Sequence, residues 1–255
     1  MKIISISNIK GGVGKTTTAV VLAVGLVEKS YKVLMIDSDP QTNLTMCFMQ
    51  EKTDQSPSLY HVYSDKKSIE EIKVAVKDKL DLIIGDFKLC NADMQFTKAG
   101  RLKVLKKAIQ NIDGEYDFVI IDTPPNLGIL SLNAFIASDY MLVPMTADSF
   151  SLKGVRFLKQ TLEDVADETE KELPVVGILL TRYNSRTNVS RLLEKSLSAA
   201  AGLLGTKVFK NRIRQAVVLQ ECQIAKEDLF SYAANAKVTE DYRGFIDEFL
   251  ERTGA

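Results

Sequence analysis

A short apolar run, Ile3-Ile4-Ser5-Ile6-Ser7, leads into Lys10-Gly11-Gly12-Val13-Gly14-Lys15-Thr16-Thr17, and a helical pattern comes next. A glycine-rich turn between a strand and a helix N-terminus points successive backbone N–H groups inward. The helix dipole adds partial positive charge at the same place, so the segment suits phosphate oxygens. A Cβ in such a turn would hold the chain away from them. Lys15 then reaches the β- and γ-phosphates of a nucleotide, and the Thr16 hydroxyl ligates Mg²⁺. Cofactor contacts are expected from Gly11, Gly12, Val13, Gly14, Lys15, Thr16 and Thr17. The pattern G-x-x-x-x-G-K-[ST] is not met, because Ile9 stands where its first glycine would be. A second lysine, Lys10, leads the loop instead.

Two acidic strand ends could complete this chemistry. Val119-Ile120-Ile121-Asp122 runs into Thr123-Pro124-Pro125, and Leu34-Met35-Ile36-Asp37 runs into Ser38-Asp39-Pro40-Gln41. Aspartates in such places also serve as caps or turn residues. Beside a phosphate loop, Asp122 is a candidate to hold the metal's water shell. Asp37 and Asp39 fall where open α/β sheets bind ligands. One can orient or deprotonate a water while the other supports Mg²⁺.

These residues need a scaffold that brings strand ends together. Buried strands are expected at Lys2–Asn8, Lys32–Asp37, Leu80–Ile84, Phe118–Asp122, Tyr140–Pro144 and Pro174–Thr181, with a last short one at Val208–Phe209. Several lack in/out alternation, as strands covered on both faces do. Helices are expected at Thr16–Lys29, Ser68–Lys79, Cys90–Asn111, Leu127–Ala137, Leu152–Glu172 and Val189–Leu204. The expected fold is α/β: a single P-loop domain over residues 1–255, with a mostly parallel twisted sheet and helices on both faces. Val238–Arg252 is amphipathic with an acidic polar face, which favours core packing over a membrane surface.

Composition narrows the classes further. The 33 basic and 33 acidic side chains cancel. Yet Thr161–Glu172 carries six acids against Lys171, whereas Pro174–Gln220 holds eight Lys and Arg against Glu194. The acidic run reads as a solvated face, and the basic one is a candidate anion surface. No apolar run is long enough for a membrane span, and the N-terminus does not read as a signal peptide. Cys47, Cys90 and Cys222 are scattered, which argues against a disulfide framework or a cluster site, and His61 stands without metal-ligating neighbours.

Taken together, the motifs resemble the ParA/MinD family of deviant Walker ATPases, and within it the ParA (Soj-like) partition ATPases. The matching segments are Lys10–Thr18, Asp37-Ser38-Asp39-Pro40-Gln41-Thr42-Asn43, Asp122–Gly128, Val143-Pro144, Thr181–Thr187 and Arg212-Ile213-Arg214. The resemblance implies an ATP- and Mg²⁺-dependent ATPase that forms a homodimer in its ATP state. Lys10 crosses to the partner's nucleotide, Asp39 positions the hydrolytic water, Asp122 serves the metal and Asp37 supports it. Arg182 meets adenine. Non-specific double-stranded DNA is bound through Arg186 and Arg214, with Lys210 and Arg212 close by. It also implies slow basal turnover, stimulation by a ParB-like centromere-binding protein, and a cytoplasmic, nucleoid-associated protein with no membrane contact.

The phosphate loop begins by residue 10, so a preceding helix-turn-helix domain, and sequence-specific autorepression with it, is not expected. Asp148 stands where the family often has Glu. A nucleotide-gated positioning factor for a protein cargo is the alternative of a different class. A MinD-like membrane regulator would be expected to end in a basic helix, and this chain ends acidic.

Overall fold

The computed structural model describes residues 1–49, 56–96, 100–146, 151–183 and 188–255, with the backbone alone at 151–152 and 188–195. Seven strands form one sheet: β1 (Lys2–Ile6), β2 (Val33–Asp37), β3 (Lys73–Lys77), β4 (Leu80–Ile83), β5 (Phe118–Asp122), β6 (Tyr140–Thr146) and β7 (Val175–Thr181). Their order is β3-β4-β2-β5-β1-β6-β7, and every pairing is parallel except β3 with β4.

Alternate residues of the central strands feed two hydrophobic cores. Leu34, Ile36, Val119 and Ile121 face one of them. Around it lie α3 (Leu59–Tyr63), α4 (Ile69–Ile72), α5 (Ala92–Gln95), α6 (Val104–Gln110), α7 (Ile129–Ala137), α8 (Ser151–Thr169) and α9 (Asn188–Leu203). Val33, Met35, Phe118 and Ile120 face the other. It is covered by α1 (Lys15–Glu28), α2 (Asn43–Phe48), α10 (Val218–Ala225), α11 (Leu229–Tyr232) and α12 (Lys237–Thr253). Both faces of the sheet are therefore dry, which explains the near-continuous apolar strands.

The buried stripe of α12, with Tyr242, Phe245, Ile246 and Phe249, packs into this second core. A Cβ on Gly25 of α1 would collide with the tip of the Ile246 side chain, so the two helices pack closely at this glycine. The apolar face of α12 is thus already occupied. No helix among the described residues is long and apolar enough to cross a membrane.

Three expectations change. Ser68–Lys79 is not one helix: Ser68 and Glu71 form a capping box for the single turn of α4, and the chain then runs out as β3. Lys73-Val74-Ala75-Val76-Lys77 alternates with the two-residue period of a strand, and its lysines suit an exposed sheet edge. Cys90–Asn111 is divided into a 3₁₀ turn at Phe87–Asn91, α5, a second 3₁₀ turn at Arg101–Lys103, and α6. Gly100, at φ 85°, sits in the left-handed region just before that second turn. Val208–Phe209 provides one isolated bridge, from Val208 to Ile178, rather than a strand.

Candidate functional site

Strand register sets the site. β5 lies between β2 and β1, and Asp37 pairs directly across from Asp122, with Ile6 on the other side. Past Ile6 the chain turns through the loop and enters α1. Gly12 and Gly14 adopt φ of 74° and 84°, the left-handed region that disfavours other side chains. A Cβ on Gly11 or Gly12 would meet no atom of the described residues within 4 Å, which leaves room there for a ligand. Gly14 is the N-cap of α1, no side chain caps the helix, and its first turn carries no acid. Its leading N–H groups are therefore presented to an anion.

Lys15 is buried to 7% exposure, and its ammonium donates to the Lys10 carbonyl at 3.4 Å across the loop. Burial pulls its pKa down, and the charges of Asp122 and Asp39 work against that shift. Lys10 itself is half-buried at the head of the loop, with its backbone N–H donated to Asn8 Oδ1 at 3.0 Å. The Asn8 amide in turn donates to the Pro144 carbonyl on β6. The tip is braced from the last strand, because the Thr181 hydroxyl lies 2.8 Å from the Val13 carbonyl to which it donates.

The acids form the other wall. The Thr16 hydroxyl donates to Asp122 Oδ2 at 2.7 Å. The remaining oxygen, Asp122 Oδ1, is buried and has no hydrogen-bond partner among the described residues. Burial, and then the neighbouring Asp37, push the Asp122 carboxyl well above the ordinary range. Asp37 is also fully buried and is pushed up to about 6, chiefly by burial, with hydrogen bonds from Thr45 opposing. Its Oδ2 accepts from the Thr45 backbone N–H (2.8 Å) and hydroxyl (2.6 Å), and its Oδ1 from the Asp39 N–H (3.3 Å). Asp39 is 7% exposed and accepts the Gln41 N–H on Oδ1 at 2.9 Å.

The arrangement calls for a cation. Buried carboxyls stand side by side, and one carries an orphaned oxygen next to a hydroxyl at a helix N-terminus. No group of three or more acidic, Cys or His side chains among the described residues could hold a metal alone. Mg²⁺, which keeps waters and shares its shell with phosphate oxygens, fits such a sparse set of protein ligands.

Lys10, Lys15, Thr16, Asp37, Asp39 and Asp122 thus lie together at the C-terminal end of the central strands. Arg182, in a left-handed conformation at φ 51°, lines a cavity of about 170 Å³ beside the loop, with Gly14, Thr17, Ile213, Arg214 and Tyr242. Arg186 and Asp148 lie outside the described residues. Of the other basic candidates, the two arginines have their side chains engaged within the chain. Arg214 makes a bidentate pair with Asp241 of α12, at 2.6 and 2.7 Å. Arg212 donates to the Tyr183 hydroxyl at 2.9 Å and lies over its ring. The Lys210 backbone N–H donates to Glu248 at 2.9 Å, while the residue is exposed.

Sequence reading gave no role to Asn8, to Thr45, or to Gln223, whose amide reaches the Thr17 hydroxyl at 3.3 Å. Each acts through contacts distant in the chain, and only Thr45 had a local signal: a hydroxyl shortly after Asp39-Pro40-Gln41.

Comparison with known proteins agrees with this geometry. The family described as AAA domain matches residues 1–175. The sporulation initiation inhibitor protein Soj of Bacillus subtilis is 33% identical over 249 residues, 97% of this chain and 97% of Soj. The structure of cobyrinic acid a,c-diamide synthase from Mycobacterium smegmatis with bound ATP analog and magnesium has a TM-score of 0.85 at 30% identity, covering 100% of this chain and 96% of that one. A putative plasmid partition protein from Borrelia burgdorferi bound to AMPPNP has a TM-score of 0.84 at 26% identity, covering 98% and 99%. With a glycine loop led by Lys10, strand-end acids at 37, 39 and 122, and relatives matched over nearly its whole length, the chain belongs to the ParA/MinD family of P-loop ATPases.

Proposed function

We propose that the protein is a partition ATPase of the ParA type. It binds ATP with Mg²⁺, dimerises in that state, holds DNA without sequence preference and lets go on hydrolysis. The observation that carries the nucleotide part is the Thr16–Asp122 contact with its orphaned carboxylate oxygen, placed under an uncapped helix N-terminus. Support for the ligands comes from the relatives that hold an ATP analog with magnesium, or AMPPNP. Support for partition comes from the name of the Borrelia protein.

In this reading the backbone of residues 11–17 cradles the phosphates, and Lys15 offsets their charge. Thr16 and Asp122 hold Mg²⁺, which when bound neutralises charge developing on the phosphates. Asp37 supports that site from the neighbouring strand. Asp39 orients the attacking water. Lys10 acts across the dimer on the partner's nucleotide, so that a competent site needs two chains. Arg182 meets the base from its cavity beside the loop. Lys210, Arg212, Arg214 and Arg186 supply phosphate contacts to DNA, which give affinity without base readout. A ParB-like protein speeds a slow basal turnover, and the protein works in the cytoplasm on the nucleoid.

A second reading, nucleotide-gated positioning of a protein cargo, draws on the Arg214–Asp241 pair, which neutralises a cation that DNA would use. One experiment separates the two. The ATP-trapped protein is expected to retard arbitrary duplex DNA at low salt and to release it as salt rises. An ATP-bound dimer that ignores DNA at low salt establishes the cargo reading instead.

A further inference from the structure

The loop that presents Asp39 is fastened by one buried hydroxyl. Asp37 reaches forward to Asp39 with one oxygen and to Thr45 with the other. The Thr45 hydroxyl also accepts the Gly85 N–H, at 2.9 Å, from the end of β4. A hydroxyl has a single hydrogen. With Gly85 donating on one side, that hydrogen is directed at Asp37. Gly85 packs so tightly that a Cβ there would stand 2.9 Å from the Asp37 carboxyl carbon, which leaves the carboxylate little room to turn. Asp37 is 0% exposed and Thr45 2%, so water does not replace these bonds.

The turn between them is under load. Thr42 sits at φ 56°, a left-handed conformation uncommon for a β-branched residue. Such strain persists only where surrounding contacts over-determine it. The bonds from Gln41 N–H to Asp39 Oδ1 and from Thr42 N–H to the Asp39 carbonyl shape the turn locally. The Asp37–Thr45–Gly85 chain ties it to the sheet.

We infer that Thr45 is a positioning residue for ATP hydrolysis: its hydroxyl, oriented by Gly85, fixes Asp37 and through it the backbone from which Asp39 addresses the attacking water. The inference rests on the reading of Asp39 as the water-positioning group. The phosphate loop follows β1, its described hydrogen bonds include none of these, and its contact to the metal side runs from Thr16 to Asp122, so loss of the Thr45 hydroxyl falls chiefly on turnover.

The test compares Thr45→Val, which keeps the shape and removes the hydroxyl, with Thr45→Ser, which keeps the hydroxyl. Steady-state ATPase kinetics and binding of a fluorescent ATP analogue are measured on each folded variant, with Asp39→Ala alongside. Thr45→Val is expected to lower kcat by about ten- to a hundred-fold, the scale of a misplaced catalytic group. Its KM stays within about two-fold, as for an interaction made only in the transition state. Thr45→Ser retains most of the turnover. A Val variant as active as the parent, a loss confined to KM, or a Ser variant as impaired as the Val variant overturns the inference. Should Thr45→Val fail to fold, Thr45→Ala against Thr45→Ser carries the same comparison. If Asp39→Ala is inert while Thr45→Val is normal, only the role of Thr45 falls. If Asp39→Ala hydrolyses ATP at the parent rate, the reading of Asp39 falls and takes the inference with it.

Discussion

The phosphate loop and the basic stretch after β7 handle charge in opposite ways. Around the loop, buried acids are packed together beyond what the chain itself satisfies: Asp122 keeps an orphaned oxygen and Asp37 holds its proton unusually tightly. Along the stretch from Lys207 to Arg214, both arginines are engaged from within, Arg214 by Asp241 and Arg212 by Tyr183, while Lys207 and Lys210 are exposed. The first region is preorganised for ligands and gains when they arrive. The second must first give up its own contacts. Under the proposed DNA role, the arginines of this stretch bind weakly until those contacts are released.

Removing the loop's cation is the strongest way to break this contrast. Lys15→Ala is expected to weaken ATP binding by about a hundred-fold or more, since a charge-assisted contact in a dry site is lost. Calorimetric titration with ATP reads the change. Next comes Asp39→Ala, which should lower turnover by about a hundred- to ten-thousand-fold, the range for a lost general base. ATP binding persists, and size-exclusion chromatography with ATP shows a lasting dimer. A monomeric Asp39→Ala protein under ATP argues against the two-chain site.

The basic stretch can be probed by freeing its cation. Asp241→Asn keeps shape, removes the charge that neutralises Arg214, and is expected to raise DNA affinity by about ten-fold at low salt. The slope of log affinity against log salt should steepen by about one phosphate's worth. Unchanged affinity in filter binding would mean that Arg214 does not meet DNA.

The smallest effect concerns pH in the ligand-free protein. The folded Asp37 carboxyl titrates at about 6, against an ordinary value of 3.8. The folded chain therefore binds more protons than the unfolded one between those values, so stability is highest below the window and falls as pH rises through it. Thermal melts in chelator should decline from about pH 4 to about pH 7. Asp122, whose carboxyl burial also raises, to about 8, adds to the decline, so Asp122→Asn, which removes that titrating group, should flatten it by about 1 kcal/mol or more.

Much of the loop's region was legible because its signals are local. Apolar strands that end in Asp37 and Asp122, and a glycine turn that opens α1, lie within single short segments. The Ser68–Lys79 stretch misled because a capping box starts α4 as it would start a long helix, while the residues after it form an edge strand whose pairing with β4 is a tertiary fact. α2 was hidden for a related reason. Its first turn is held by the Asp37 carboxylate from eight residues back, so no adjacent capping residue marks it. The Arg214–Asp241 pair joins residues 27 apart, and the brace from Thr181 to Val13 spans 168. Contacts of that reach leave no periodicity to read.

That brace gives the last strand a second office. Thr181 is followed at once by Arg182 and Tyr183, and Tyr183 bridges to Arg214. A ligand that moved those neighbours would disturb the same strand end that holds the tip of the glycine turn, where one hydroxyl lies between the carbonyls of Val13 and Met145.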